Sequence, residues 1–177
     1  LRVAGHPVAE TGAFDEATVA AILPLGGASR YGVRTHPGGS PTDGAQRLPA
    51  GWNLVQPHFF STLRIPIVAG RDFNAGDRTG THSVVIVSEE AARRYWPGLD
   101  PVGRRVKFTA EPGWREIVGV IGAVRHWGLD RDVNPELYMP PEQQPSSSLT
   151  YVLHTAGDPL GVVDAVSAHV RAVDPDL

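Results

Sequence analysis

The chain has 177 residues, of which 41% are hydrophobic and 20% charged, with a formal net charge of −3. Those values fit a folded chain of one domain or two small lobes and exclude the broad basic footprint of a general nucleic-acid binder. Cysteine is absent, which excludes disulfides, zinc–thiolate centres and iron–sulfur clusters.

Residues 1–16 carry weak pattern. Ala17–Pro24 (ATVAAILP) reads as a strand, and Leu25–Pro49 reads as loop with room for a short strand at Tyr31–Thr35. Gly51–Gln56 alternates as a strand does. Pro57 opens a short helix, PHFFSTL, whose buried face is expected from Phe59, Phe60 and Leu63. Ile65–Val68 is short and extended, and Ala69–Thr81 is a polar turn region. Ser83–Val87 (SVVIV) is a buried strand by its β-branched content.

Ser88 is placed to cap a helix with Glu89 and Glu90 in its first turn and Arg93 and Arg94 in its last. That charge order suits the helix dipole. The stretch that follows, WPGLDPVG, reads as a corner. Pro97 ends the helix, Gly98 supplies positive φ, Asp100-Pro101 opens a second turn and Gly103 closes it. Trp96 and Leu99 are expected to plug the core beside it. Arg104–Thr109 alternates as a half-exposed strand, with Arg105 and Lys107 on one face. Trp114–Arg125 is a longer strand, whose Gly119 and Gly122 imply a bulge, a sharp twist or close packing.

Pro135–Met139 is a short strand, Pro140–Ser148 a flexible loop and Leu149–Thr155 a strand. Asp158 can cap a last helix with Leu160, Val163, Val166, Val170 and Val173 on one stripe. Strands with helices between them give an α+β fold with a mixed sheet. The units 47–68 and 83–109 could each be a split βαβ element. The longest apolar run, Ile117–Val124, is far shorter than the ~20 residues of a membrane span. No signal-peptide pattern is visible, and the chain reads as an excised piece of a longer protein.

No catalytic constellation emerges. The histidines (His6, His36, His58, His82, His126, His154 and His169) include no pair at i, i+4, and no H-E-x-x-H, G-x-S-x-G or phosphate-binding G-x-x-x-x-G-K-[ST] occurs. Asp72 and Asp77 lie where turns favour local carboxylate hydrogen bonds, and Glu89 and Glu90 lie where a helix start favours negative charge. A soluble hydrolase or ligand-binding site assembled from Arg71, Asp72 and His126 is the alternative reading. A lipid- or peptide-binding module would need an exposed apolar groove.

The order of four phrases is more informative than any one of them: LVQPHFFSTLRIPIVAGRDFNAGD, SVVIVSEEAARRYWPGLDPVGRRVKF, REIVGVIGAVRHWGLDRDVNPELYMP and VLHTAGDPLGVVDAVSAHVRAVDPDL. In this order the chain resembles the MacB-like periplasmic core domain of ABC transporter permeases with an FtsX-like membrane region. It is especially similar to the long permease branch of acidobacteria and related soil bacteria. Residue by residue, Phe59 and Phe60 match that family's aromatic pair. Gly70, Arg71 and Phe73 match its GRDF-like turn, and Trp96, Pro97, Gly98, Asp100, Pro101 and Gly103 its WPGEDPIG-like corner. Arg125, His126, Gly128 and Leu129 match a further phrase. All are expected to be fold-forming.

The resemblance implies a two-lobed extracytoplasmic domain of an inner-membrane protein that does no covalent chemistry and holds no cofactor or metal. A porter-like α/β lobe would comprise 1–79 and 129–177, with a smaller, mainly β lobe inserted at 80–128. The domain would relay ATP-driven motion in export or efflux. The implied partners are a cytoplasmic ATPase, acting through the membrane region, and a periplasmic adaptor or lipoprotein. Nucleic acid is not among them. The parent permease would be dimeric and the isolated domain monomeric.

Overall fold

The computed structural model describes residues 2–3, 6–7, 18–22, 31–36, 47–108, 113–124, 133–144, 150–155 and 158–173. In chain order the strands are β1 (Arg2–Val3), β2 (His6–Pro7), β3 (Thr18–Ile22), β4 (Tyr31–His36), β5 (Arg47–Leu54), β6 (Ile67–Gly70), β7 (Val84–Ser88), β8 (Arg105–Phe108), β9 (Arg115–Ile121), β10 (Glu136–Met139) and β11 (Thr150–His154). The helices are α1 (Phe59–Thr62), α2 (Glu89–Tyr95) and α3 (Val163–Val173), with 3-10 turns at Pro141–Gln143 and Pro159–Val162. The α+β class and the mixed sheet are as expected from the sequence.

Seven strands form one sheet in the order β6-β9-β7-β10-β5-β4-β8. β8 also pairs back onto β9, through Arg105 opposite Glu116 and Val106 opposite Arg115. The strands β9, β7, β10, β5, β4 and β8 therefore close into a ring. β6 continues along the edge of β9 that β8 leaves, opposite Gly119–Ile121. β7 is parallel to β9 and β10 is parallel to β5, while the other ring pairs are antiparallel. A second sheet pairs β3 with β11 in antiparallel register.

All five residues of β7 and all four of β10 are buried. Strands covered on both faces read as continuous apolar runs, which is why VVIVS and ELYM are so rich in large hydrophobic side chains. Their alternating sides feed two cores. Val85, Val87, Leu137 and Met139 point inward and meet Leu54, Val106, Phe108 and Ile117, with Ala91 and Trp96 closing that cluster. Val84, Ile86 and Tyr138 point outward and meet Val118 and Ile121 under Phe59, Phe60 and Phe73. Each fully buried aliphatic or aromatic side chain contributes about 1.5–3 kcal/mol relative to an exposed one. α1 covers the outer core and also touches β3 and β11, so it joins the ring to the second sheet.

β9 carries the bulge that its glycines implied. Its pairing with β7 slips between Val85 opposite Ile117 and Ile86 opposite Gly119. The slip switches parity, so Ile117 and Val120 enter the inner core while Val118 and Ile121 enter the outer one.

Several expectations need correction. Leu63 is 40% exposed and Leu99 50% exposed, so neither plugs a core. Each sits just past a helix end, on the side of the turn that faces solvent. On the last stripe, Leu160 and Val163 are exposed, while Val166 and Val170 are half-buried. Pro141–Gln143 is a 3-10 turn within the expected flexible loop. Neither expected split βαβ unit forms: β5 and β6 are separated by three strands, and β8, which has β9 between it and β7, runs antiparallel to β7. The ring also draws on both sides of residues 79/80 and 128/129. β7 pairs with β10, and β8 pairs with β4.

Candidate functional site

The most ordered polar cluster is the turn after β6. Gly70 leaves the strand with φ 70°, in the left-handed region that favours glycine. A Cβ there would lie 2.2 Å from the Val118 carbonyl oxygen, and one at Gly119 would lie 2.3 Å from the Arg71 carbonyl oxygen. The two backbones thus touch directly, and the Arg71 amide donates to the Val118 carbonyl at 2.9 Å. Both glycines are needed for that contact.

Arg71 then reaches along the turn. Its Nη1 and Nη2 donate to Asp77 Oδ2 at 2.7 Å and Oδ1 at 2.9 Å, a bidentate fork. Asp77 Oδ2 also accepts the Asn74 amide at 2.9 Å. Burial pushes the Asp77 carboxyl up. The Arg71 hydrogen bonds, the Asn74 amide and the Arg71 charge outweigh it and hold the group below its ordinary range. The same hydrogen bond to Asp77 raises Arg71 further above its ordinary value. Asp77 is buried while the Arg71 side chain is 45% exposed, so the fork is a lid over one carboxylate, with its outer face in water.

Asp72 points the other way. Its Oδ1 accepts the Phe73 amide at 2.7 Å, and the carboxylate also takes the backbone amide of His58, the residue before α1. Burial raises its pKa; the two amides and the charges of His58 and Arg71 oppose that shift without cancelling it. His58 itself has φ 70°. The turn therefore holds β9 through Arg71 and the start of α1 through Asp72.

α1 buries Phe59 and Phe60, whose rings meet edge-on at 5.2 Å, and Phe60 meets Tyr138 at 5.1 Å. It ends with Arg64 at φ 56°. The Ile65 amide bonds Phe60 O at 2.8 Å, and the Arg64 amide bonds Ser61 O at 3.0 Å. This is a Schellman ending with arginine where glycine is usual. Beneath α1, the Tyr138 hydroxyl donates to Glu136, and both residues are buried. Burial, and then the charge and hydrogen bond of Glu136, push the Tyr138 hydroxyl well above its ordinary value.

The WPGLDPVG corner is built as the sequence implies. Ser88 Oγ accepts the Ala91 amide at 3.2 Å to cap α2 and accepts the Glu136 amide at 3.0 Å, tying the cap to β10. Trp96 ends the helix and is 2% exposed, and its indole N–H has no hydrogen-bond partner among the described residues. Pro97 lies exposed and Pro101 buried. Gly98 and Gly103 take φ of 71° and 80°. Asp100 Oδ1 accepts the Val102 amide at 2.9 Å, and the Gly103 amide donates to Ile117 O at 2.8 Å. The corner thereby fixes where β8 starts against β9.

One residue escaped the sequence reading. Gln143 accepts the Val84 amide at 3.0 Å and donates to His82 O at 2.8 Å, and its Oε1 also takes Arg115 Nη1 at 3.3 Å. It staples the 3-10 turn to the start of β7 and to a buried arginine. Its partners lie many residues away in sequence, so no local pattern marks it.

Of the alternative trio, Arg71 and Asp72 are adjacent but are engaged in separate structural hydrogen bonds. His126 lies outside the described residues, as do Arg125, Gly128 and Leu129. Among the described residues no group of three or more His, Asp or Glu side chains could hold a metal ion, and no helix is long and apolar enough to cross a membrane.

A family model described as the MacB-like periplasmic core domain matches residues 5–174. Among solved structures, the chain is similar to the periplasmic region of MacB from Actinobacillus actinomycetemcomitans, at 15% identity and TM-score 0.60, covering 88% of this chain and 66% of that one. It is also similar to the extracellular domain of the ABC-type transporter YknZ from Gram-positive bacteria, at 14% identity and TM-score 0.55, covering 85% and 69%. A domain of a permease protein from Porphyromonas gingivalis matches at 16% identity and TM-score 0.52, covering 91% and 74%. At such identities the likeness is one of fold, and the chain spans just under two thirds of the MacB region's length. No curated protein matches it.

Proposed function

The chain belongs to the MacB-like periplasmic core domain family, and from that premise we propose that it works as a non-catalytic relay in an ABC transporter permease. It is an extracytoplasmic domain of that permease class. In this reading it passes motion driven by a cytoplasmic ATPase to a periplasmic adaptor, lipoprotein or substrate during export. The observation that carries the reading is the junction at α1. The ring closes on itself through β8 and β9, which favours movement as one body. α1 is seated on the ring's outer core, touches β3 and β11, and is held at its start by Asp72. A displacement of either sheet would reach the other through this helix.

We further propose that the two lobes correspond to the ring, within 31–144, and to the unit of β3, β11 and α3. The supporting observation is that the ring and the β3–β11 pair are separate sheets. The relay reading is tested with the isolated chain and with the parent transporter. The chain should neither bind nor hydrolyse ATP. Asp72→Ala should reduce transport by the reconstituted permease while leaving the ATPase assembled with it. ATP binding by the isolated chain, or transport unaffected by Asp72→Ala, would count against the relay.

A further inference from the structure

The backbone register across β5, β4 and β8 sets like charges against each other. Arg47 stands opposite Arg34, and Arg34 stands opposite Lys107. At the next position on the same side of β4, His36 stands opposite Arg105. Directly opposed strand residues hold their Cβ atoms about 4.5–5.5 Å apart, and like charges so placed destabilise the pair. Where β8 meets β9, the register does the reverse and sets Arg105 against Glu116. In a chain whose net charge is −3, this register gathers cationic positions from three neighbouring strands.

We propose that this row is a docking surface for an acidic segment of a partner polypeptide. Arg105 is exposed and Lys107 half-exposed. Along one strand, cationic positions two residues apart are spaced by ~6.8 Å, the spacing of alternate carboxylates on an extended acidic chain. Across strands the row repeats at ~4.8 Å. An anionic bilayer is the less favoured occupant, because surface-seated membrane segments add apolar or aromatic anchors to their cations. The same-parity neighbours here are Gly32 and Pro49, themselves register partners. Carboxylates brought between the cations would relieve their mutual repulsion. This surface is independent of the relay at α1, so either can fail without the other.

The test uses fluorescence anisotropy with a labelled peptide of about ten residues alternating glutamate and serine, from about 20 mM to about 200 mM salt. The chain is compared with Arg34→Gln/Arg47→Gln/Lys107→Gln and with a control of equal charge change, Arg78→Gln/Arg93→Gln/Arg94→Gln. The expected result is salt-sensitive binding that the first variant weakens at least about tenfold and the control leaves within about twofold. Because the variant removes opposed like charges, its thermal midpoint should be no lower than that of the unmodified chain. If the triple variant fails to fold, Arg34→Gln and Lys107→Gln singly should each weaken binding by about threefold. Absence of peptide binding, equal losses in the control, or binding only to vesicles containing about one-third phosphatidylglycerol would overturn the proposal.

Discussion

Gly119 and Gly70 sit where two backbones touch, and their substitution should be far costlier than that of glycines that merely turn the chain. Gly119→Ala forces a Cβ within 2.3 Å of the Arg71 carbonyl oxygen and should destabilise by about 2–4 kcal/mol in urea melts. Gly98→Ala meets open space and should lose only about 1 kcal/mol, the cost of positive φ. Near-equal losses would contradict the close contact. Arg64 offers the converse case. It holds a left-handed position at the end of α1, so Arg64→Gly should gain up to about 1 kcal/mol.

The two turn carboxylates respond to pH with opposite signs. Asp77 is depressed below the ordinary value of 3.8. Its contribution is present above that value and is lost as pH falls through the lower folded value. Asp72 is raised above 3.8. Its effect favours the fold below 3.8 and is lost as pH rises through the higher folded value. Asp77→Asn should therefore lower stability at pH 7 and flatten the acid limb below 3.8. Asp72→Asn should lose less at pH 7 than at pH 3, since the amide keeps an acceptor for Phe73. Denaturant melts across that range would distinguish them, and matching profiles would contradict the assignments.

At the scale of elements, legibility followed locality. β7 was readable because its five residues are VVIVS and both its faces are buried. The corner from Trp96 to Gly103 was readable because proline, glycine and aspartate each do a local task there. Gly119 was readable as a bulge or close contact, and it proved to be both. Ring closure was not readable, because β4 meets β8 across a long stretch of sequence and neither strand names its partner. Leu63 and Leu99 misled because apolar character near a helix end does not say which side of the turn faces the core. Gln143 was invisible for a related reason: a polar residue among prolines and serines reads as loop until its distant partners are known. Gln143→Ala removes the acceptor of the Val84 amide and the donor to His82 O, and should cost about 1–3 kcal/mol. Hydrogen exchange should quicken first at Val84. Unchanged exchange there would show that Gln143 is not the staple.

For the whole molecule, the ring and α1 define what must stay rigid and what must pass motion on. Two strands buried on both faces leave the ring little freedom to deform, since closely packed interiors transmit strain and do not absorb it. α1 is only four residues long, yet it is held by the outer core, by the Schellman ending and by the Asp72 carboxylate. Its seat explains why the aromatic pair Phe59–Phe60 and the turn from Gly70 to Phe73 belong to one assembly, although each looked like an isolated signature in the sequence. The most direct measurement places spin labels in the parent permease, reconstituted with its ATPase. One pair joins Arg93→Cys on α2, whose Ala91 is seated in the ring's inner core, to Arg105→Cys on β8, and the other, Arg105→Cys and Leu160→Cys, spans from the ring to the turn before α3. The relay account predicts that ATP changes the second distance and leaves the first unchanged. A nucleotide-dependent change within the ring, or none in either distance, would contradict it.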